Sequence, residues 1–190
     1  MNYARTDPSK NAYAQRSDPN QTFTTGDRVV FPAHGVGRVE KVAKEEIAGQ
    51  SIEIIQISFD DSSMTVRVPV AKISATGLRP VASPALIAKV LSVLKGKPKM
   101  SKVMWARRAQ DYEQRNNSGD PLLLAEVARD LRRNAYPATD SSFSERQIFE
   151  RAIDRLAAEV AAVESIEKAQ ALERMSAELR ALDAVKPASS

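Results

Sequence analysis

The spacing of the apolar residues changes once along the chain, close to residue 83. Before that point they form short β-branched runs, chiefly VVF at 29–31, IEIIQISF at 52–59 and MTVRVPV at 64–70, with turn-forming sequences such as PAHG and DDSS between them. Four extended segments within about 45 residues are typical of a small antiparallel sheet or an SH3-like barrel. We therefore predict a β module over residues 22–82.

Beyond Ser83 the apolar residues recur every three or four positions, which is the spacing of a helix with one buried face. The dipeptides Ser-Pro at 83–84 and Asp-Pro at 120–121 each place a good N-cap before a proline at the first helical position. We expect helices to begin at both dipeptides. A second helix is expected between them, capped by Ser101 and continuing to about Asn116.

Two further helices are predicted towards the C terminus. The spacing Ser142-x-x-Glu145 matches a capping box, in which two side chains satisfy backbone N–H groups at the start of a helix, and a long apolar stripe follows it. Ser165 interrupts this stripe, so we expect it to separate a fourth helix from a fifth.

Taken together, the pattern predicts an α+β fold with two domains. A small antiparallel β module is expected at residues 22–82, and an all-helical domain of about five helices at residues 83–185. Residues 1–21 and 186–190 show no period and are predicted to be disordered tails. No apolar run reaches the ~18–20 residues of a membrane span and no secretory signal opens the chain, so we expect a cytoplasmic protein without a membrane partner.

The charge of the chain is concentrated in one segment. The whole sequence has 28 Lys and Arg against 24 Asp and Glu, a net charge of +4. Residues 86–115 alone hold 8 basic and 2 acidic residues, or +6, whereas residues 140–183 hold 6 basic and 10 acidic residues, or −4. Clustered basic charge indicates a polyanionic partner more strongly than the net value does. The only tryptophan, Trp105, lies inside the basic segment.

The sequence offers little catalytic or metal-binding chemistry. It has no cysteine and a single histidine, His34, which lies in a predicted turn, so thiolate chemistry is excluded and a histidine metal site lacks its second ligand. No phosphate-binding loop and no G-x-S-x-G motif is present. We therefore expect neither an enzyme nor a bound cofactor. A hydrolase built on acidic pairs is an alternative that no motif supports.

Trp105 and its basic neighbours allow two interpretations. In a helix over 102–116, Trp105, Arg108 and Tyr112 fall on one side by their spacing. One interpretation is that the indole packs into the core with Met104 and that the charges form a solvated face. The other is that the cations contact phosphates while the indole enters a minor groove or stacks at a disrupted base step.

Several separated motifs resemble the CarD/CdnL family of bacterial transcription regulators. They are TTGDRVVFPAHGVGRVEKV, IEIIQISF, MTVRVPV, WARR and AEVARDL, and the resemblance covers residues 22–183. It implies a Tudor-like N-terminal module that binds the RNA polymerase β subunit, and a helical domain that meets promoter DNA beside the transcription bubble. It also implies that the protein stabilises the open promoter complex formed with the housekeeping sigma factor. We expect a monomer that reaches the nucleoid through the polymerase.

The resemblance also implies which residues contact DNA. Trp105 matches the wedge tryptophan of the family, and Arg107 and Arg108 match the basic pair that follows it. Arg146 resembles a basic position that faces phosphate. Lys102 flanks the same side of the predicted helix and completes the expected DNA-binding set.

A second set of residues matches the polymerase-facing strand of the family. Arg67 stands there with Thr65, Val66 and Pro69. An exposed strand edge offers backbone hydrogen bonds to a partner strand, and Arg67 suits a carboxylate on that partner. The weaker alternative is an ordinary surface arginine on a half-buried strand. One position departs from the pattern: Glu45 stands where some members carry a basic residue that assists the polymerase contact.

A second function of a different class remains open. A similar Tudor-like module occurs in the transcription-repair coupling helicase, so the chain could be a protein–protein adaptor without a DNA role. In that case the acidic segment 140–183, with its apolar stripe, would hold a partner helix. The two functions differ in salt dependence, because DNA contact through Lys and Arg weakens steeply with salt and apolar docking does not.

Overall fold

The computed structural model describes residues 22–59, 63–99, 103–135 and 142–184 of the chain. It divides into two compact units at the bond between Pro80 and Val81. The first unit is built on a β sheet, and the regular elements described in the second are all helices, so the α+β class predicted from the sequence is confirmed.

The β unit is a single five-stranded antiparallel sheet. Its strands are β1 (Arg28–Phe31), β2 (Gly35–Ile47), β3 (Gln50–Phe59), β4 (Met64–Pro69) and β5 (Arg79–Pro80). They lie in the order β4-β3-β2-β1-β5, which makes β4 and β5 the edges. The four predicted extended segments are β1 to β4. The fifth strand was not predicted, because two residues are too few to show a period.

One face of this sheet carries the core of the β unit. The buried residues of this core are Phe23, Val29, Val39, Ile55, Ile57, Phe59, Val68, Ile73 and Leu78. The hairpin between β2 and β3 closes through Ala48 and Gly49, both with positive φ, as a two-residue hairpin turn requires. Gly37 is needed for close strand packing, because a Cβ there would lie 2.7 Å from the carbonyl oxygen of Ser58.

Two short elements connect β4 to β5. A single 3₁₀ turn (Val70–Lys72) is followed by the four-residue helix α1 (Ile73–Thr76), which ends at Gly77 in the left-handed region. Neither element was predicted, since about one helical turn is too short for a recognisable apolar spacing. Leu78, fully buried directly after this turn, anchors the connection in the core.

The described part of the helical unit contains five helices, the number expected. They are α2 (Pro84–Leu94), α3 (Trp105–Asn116), α4 (Pro121–Ala135), α5 (Phe143–Glu164) and α6 (Lys168–Ala184). The hydroxyl of Ser83 accepts a hydrogen bond from the backbone N–H of Leu86 at 3.3 Å, and the carboxylate of Asp120 accepts one from Leu122 at 2.8 Å. Both predicted caps are therefore confirmed. Ser165, with φ of 56°, ends α5 as predicted.

Of the other two predicted helix starts, one is wrong, and the other is confirmed without the capping hydrogen bond predicted for its side chain. Helix α3 begins at Trp105 with Met104 as its N-cap, so a start at Ser101 is excluded, and Ser101 itself lies outside the described residues. Ser142 is the N-cap of α5, but its side chain makes no capping hydrogen bond. Its hydroxyl lies 2.7 Å from that of Ser144 instead, and this contact replaces the predicted capping box.

Two arginines, the buried Arg132 and the half-buried Arg155, hold the ends of neighbouring helices. Arg132 of α4 donates to the carbonyl oxygens of Leu94 at 3.2 Å and Gly96 at 2.9 Å, which lie at the C terminus of α2. Arg155 of α5 donates to the carbonyl oxygen of Asn116 at the end of α3. Carbonyls at a helix C terminus lack intrahelical partners, so these guanidiniums satisfy them. Burial lowers the pKa of Arg155.

No helix in the described part of the chain is both long enough and apolar enough to span a membrane.

Candidate functional site

Helix α3 contributes little to the core of the helical unit. Of its 12 residues, only Tyr112 and Asn116 are buried. Its N-cap, Met104, supplies only its carbonyl oxygen, which accepts from the N–H groups of Arg107 and Arg108 at 3.2 Å each. Most side chains of this helix are therefore at least partly exposed, and they are available to form a binding surface.

Trp105 is half-buried at the first position of α3 and is held by three neighbours. Its indole N–H donates to the hydroxyl of Ser144 at 3.2 Å, and its ring centroid lies 6.5 Å from that of Tyr112. The guanidinium of Arg108 lies 5.3 Å from the ring centroid. The interpretation in which Trp105 packs inward with Met104 is wrong, because Met104 is 82% exposed.

The two arginines that follow Trp105 have different surroundings. Arg108 is only 19% exposed and pairs with Glu145 of α5 at 3.5 Å, so it braces the indole against α5. Arg107 is exposed to solvent. The basic pair expected from the sequence therefore consists of one arginine that positions Trp105 and one that is available to a ligand.

The N-terminal end of α5 completes the same surface, which we call the tryptophan end of the helical unit. It comprises Trp105, Arg107, Arg108, Phe143 and Arg146. The guanidinium of Arg146 lies 5.7 Å from the ring centroid of Phe143. The hydrogen bond from Trp105 to Ser144 joins the starts of α3 and α5. The structure thus brings together the predicted DNA-binding residues, except Lys102, which lies outside the described residues.

A cleft of about 490 Å³ between α3 and α4 adjoins the tryptophan end. Its lining includes Arg107, Asp111, Tyr112 and Arg115. Arg115 pairs with Asp111 at 2.8 Å and with Glu126 at 2.9 Å. Burial raises the pKa of the Tyr112 hydroxyl. Arg115 is already paired within the chain, whereas Arg107 and Lys99, which also line the cleft, are exposed to solvent. Sequence reasoning did not find this cleft, since it depends on how the two helices pack.

The strand assigned to polymerase binding lies at an edge of the sheet. Among the described residues β4 has a sheet neighbour, β3, on one side only. Along this strand Thr65 and Arg67 are exposed, Val66 and Pro69 are half-buried, and Val68 packs into the core. The structure therefore places all four predicted residues on one accessible strand.

Arg67 has a partner within the chain. Its guanidinium forms an ion pair with the carboxylate of Glu45 on β2, across the intervening strand β3. The two side chains are 51% and 39% exposed. An exposed pair of this kind contributes about 0–1 kcal/mol, so another carboxylate can displace it at little cost.

The remaining candidate chemistry of the sequence is its single histidine and its potential metal ligands. His34 lies against the rings of Phe31 and Phe59, with centroids 5.2 and 5.4 Å away, and so has a packing role. Within residues 22–59, 63–99, 103–135 and 142–184, no group of three or more potential ligands is arranged to hold a metal ion.

Two family models match successive parts of the chain. The CarD-like/TRCF RID domain matches residues 23–82, and the C-terminal domain of CarD matches residues 89–176. The fold and these matches define the class: the chain belongs to the CarD-like family of transcription-associated regulators, which interact with RNA polymerase and are not known as enzymes. The resemblance seen in the sequence is confirmed.

Two relatives illustrate the match. YdeB of Bacillus subtilis (strain 168), whose name provisionally describes it as a transcription factor, is 26% identical over 148 residues, which are 78% of this chain and 96% of YdeB. The solution NMR structure of the 72-residue N-terminal domain of Myxococcus xanthus CarD is 36% identical, covers 31% of this chain and 79% of that domain, and has a TM-score of 0.28.

Proposed function

We propose that this chain docks on the β subunit of RNA polymerase through its β unit and stabilises the open promoter complex through the tryptophan end of its helical unit. The observation that carries the proposal is the setting of Trp105. Its ring is fixed by Ser144 and Arg108 yet keeps part of its surface in solvent, near the exposed Arg107. A core residue would be sealed, and an adventitious surface residue would not be held in place.

Polymerase docking uses strand β4. Its outer edge offers backbone donors and acceptors to a strand of the partner, which gives affinity without demanding a particular sequence. Arg67 supplies specificity by exchanging its exposed pair with Glu45 for a carboxylate of the polymerase. Thr65, Val66 and Pro69 line the same strand and contact the partner on either side of Arg67.

DNA contact uses the starts of α3 and α5. A helix N terminus carries partial positive charge, and arginines near it add to that field instead of neutralising it. The first turn of α3 has no acidic residue, and Arg107 is exposed there. Phosphates are attracted to this end, while Trp105 occupies the distorted groove at the upstream edge of the bubble and hinders reclosure.

The two contacts support each other. Once the β unit is docked, the helical unit meets promoter DNA at a high effective concentration, so weak DNA binding is sufficient. A segment charge of +6 over residues 86–115 suits such a tethered contact. We place the protein, as a monomer, on the polymerase that carries the housekeeping sigma factor, and hence on the nucleoid in the cytoplasm.

The DNA step is tested by the variant Trp105→Ala. It is expected to keep its folding and its binding to the β subunit, while open complexes dissociate about fivefold faster or more, since one base–aromatic contact is worth about 1–3 kcal/mol. The measurement is the decay of open complexes after addition of a competitor. Unfolding of the variant would assign Trp105 to the core and overturn the proposal.

The docking step is tested by two variants of one ion pair. Arg67→Glu is expected to abolish co-purification with the β subunit, because it would place a glutamate next to the polymerase carboxylate that Arg67 is proposed to bind. Glu45→Gln frees Arg67 without removing it, so its binding to the β subunit is expected to be equal to or stronger than that of the unaltered chain. Unchanged binding of Arg67→Glu would remove Arg67 from the interface.

The adaptor function remains the competing proposal. It predicts that the helical unit binds a protein and that this binding is insensitive to salt. The apolar stripe of α5 does not supply the contact expected from the sequence, because its residues Ile148, Phe149, Ile153, Leu156 and Val160 are buried. The DNA function predicts that affinity for promoter DNA falls steeply between low and physiological salt. A flat salt dependence of the complete assembly would favour the adaptor.

A further inference from the structure

Exposed apolar side chains are concentrated at the tryptophan end. Across the described residues, five large hydrophobic side chains are exposed: Ile47, Val103, Met104, Phe143 and Leu182. Three of them flank the starts of α3 and α5, beside Trp105. Isolated exposed apolar residues are ordinary, but a cluster bordered by cations marks an interaction surface.

Phe143 is the aromatic member of this cluster. It is the first residue of α5 and is 65% exposed, so it contributes little to the core. Its neighbour Ser144 accepts the hydrogen bond from the indole of Trp105 at 3.2 Å. Because consecutive Cα atoms are about 3.8 Å apart, Phe143 lies at the same end of the unit as the wedge. The N-cap of α5 is the small polar residue Ser142, so the start of this helix does not depend on Phe143.

The surroundings of Phe143 indicate its ligand. Arg146, one turn further along α5, places its guanidinium 5.7 Å from the ring centroid. An aromatic face with an adjacent guanidinium is the arrangement that proteins use for unpaired nucleic acid, where a base stacks on the ring and the cation contacts the backbone or adds a cation–π contribution. Phenylalanine has no hydrogen-bonding group, so such a contact does not select among bases.

We propose that Phe143 is a second base-stacking residue. One unpaired base of the opened promoter stacks on its ring, Arg146 contacts the neighbouring phosphate, and Trp105 holds the edge of the duplex. This inference rests on the proposed function, because it needs melted DNA at the tryptophan end. It extends the contact from a single wedge to two aromatic side chains on two helices.

The test compares substitutions of Phe143 in the full-length chain bound to promoter and holoenzyme. Phe143→Tyr keeps an aromatic face, Phe143→Leu keeps only apolar bulk, and Phe143→Ala keeps neither. The matched control is Leu182→Ala, which removes an exposed apolar side chain from α6. We expect Phe143→Ala and Phe143→Leu to shorten the lifetime of open complexes about fivefold, and Phe143→Tyr and the control to leave it unchanged.

A second readout reports stacking itself. The fluorescent base 2-aminopurine is placed in turn at positions along the upstream part of the bubble. Stacking on an aromatic ring changes its fluorescence, so at one position the signal should differ between the unaltered chain and Phe143→Leu, and should be restored in Phe143→Tyr. All variants are expected to melt at the temperature of the unaltered chain, since Phe143 is exposed.

The outcomes separate this inference from the proposed function. If Trp105→Ala shortens the lifetime and no Phe143 variant does, the function stands and the stacking role of Phe143 is overturned. If Phe143→Leu behaves like the unaltered chain while Phe143→Ala does not, the contact is apolar and the ligand is a protein or groove surface. If neither Trp105→Ala nor Phe143→Ala changes the lifetime of open complexes, the proposed function is wrong. The inference about Phe143 is then wrong too, because it depends on that function.

Discussion

Helices α3 and α4 are consecutive in the chain, and their side chains are used in opposite ways. Helix α4 buries Leu122, Leu124, Ala125, Val127, Ala128 and Leu131, and it packs between α2 and α5. Helix α3, of similar length, buries only Tyr112 and Asn116 and displays arginines and a half-buried tryptophan. Helix α4 therefore contributes mainly to the core, whereas helix α3 contributes mainly to the surface.

The starts of the two helices differ in the same sense. Helix α4 begins with a carboxylate cap, Asp120, which is favourable at the positive end of a helix. Helix α3 begins at Met104 without a side-chain cap and carries Arg107 and Arg108 close to that positive end. Departures from local rules are expected at functional sites, where another part of the structure offsets them. Here the Trp105–Ser144 and Arg108–Glu145 contacts fix the helix start.

The largest expected contrast is between Leu131→Ala in α4 and Trp105→Ala in α3. Leu131 is 2% exposed, so its truncation leaves a cavity and is expected to lower the free energy of unfolding by about 2–5 kcal/mol. Trp105→Ala is expected to lower it by less, about 1–2 kcal/mol, since part of the ring is exposed to solvent. Urea unfolding of both variants gives the two values. If the two variants lost equal free energy of unfolding, the claim that α4 builds the core and α3 the surface would be wrong.

A matched pair of arginines sharpens the comparison. Arg132→Ala in α4 leaves the carbonyl groups of Leu94 and Gly96 without this donor, and we expect a loss of about 1–3 kcal/mol of stability. Arg107→Ala in α3 is expected to change stability by no more than about 0.5 kcal/mol. It should instead weaken DNA binding for all sequences and reduce the salt slope by about one phosphate contact. An unchanged salt slope would exclude Arg107 from the DNA contact.

The smallest expected effect concerns the hydrogen bond that holds the indole. Ser144→Ala removes the acceptor for the Trp105 N–H, a bond worth about 0.5–1.5 kcal/mol. Open complexes are expected to dissociate about two- to fivefold faster than with the unaltered chain, and more slowly than with Trp105→Ala. Ser144→Thr keeps the hydroxyl and serves as the control. A defect as large as that of Trp105→Ala would show that Ser144 itself contacts DNA.

Local signals in the sequence predicted a large part of the fold. The helix starts at Ser83 and Asp120 follow from their own side chains, so the prediction needed no knowledge of the rest of the molecule. The start of α3 was misplaced at Ser101, because it is set by contacts with α5 that lie 39 residues away. Helix α1 and strand β5 were missed because elements of four and two residues have no period.

The sequence predicted those residues of the candidate site that belong to a recognisable motif, and it missed the others. The resemblance identified Trp105, but the exposure of Phe143 depends on the side-by-side packing of α3 and α5, and a phenylalanine before an apolar stripe looks like one more core residue. The Arg67–Glu45 pair joins residues 22 positions apart and needs the register of three strands. Such contacts are properties of the tertiary structure, and neither period nor composition reveals them.

The most direct test of the central claim is footprinting of promoter DNA with polymerase holoenzyme, in the presence and absence of the protein. We predict that the unaltered chain protects the upstream edge of the bubble, that Leu182→Ala protects it equally, and that Trp105→Ala loses the protection while remaining bound to the β subunit. Full protection by bound Trp105→Ala would contradict the claim that this tryptophan holds the opened DNA.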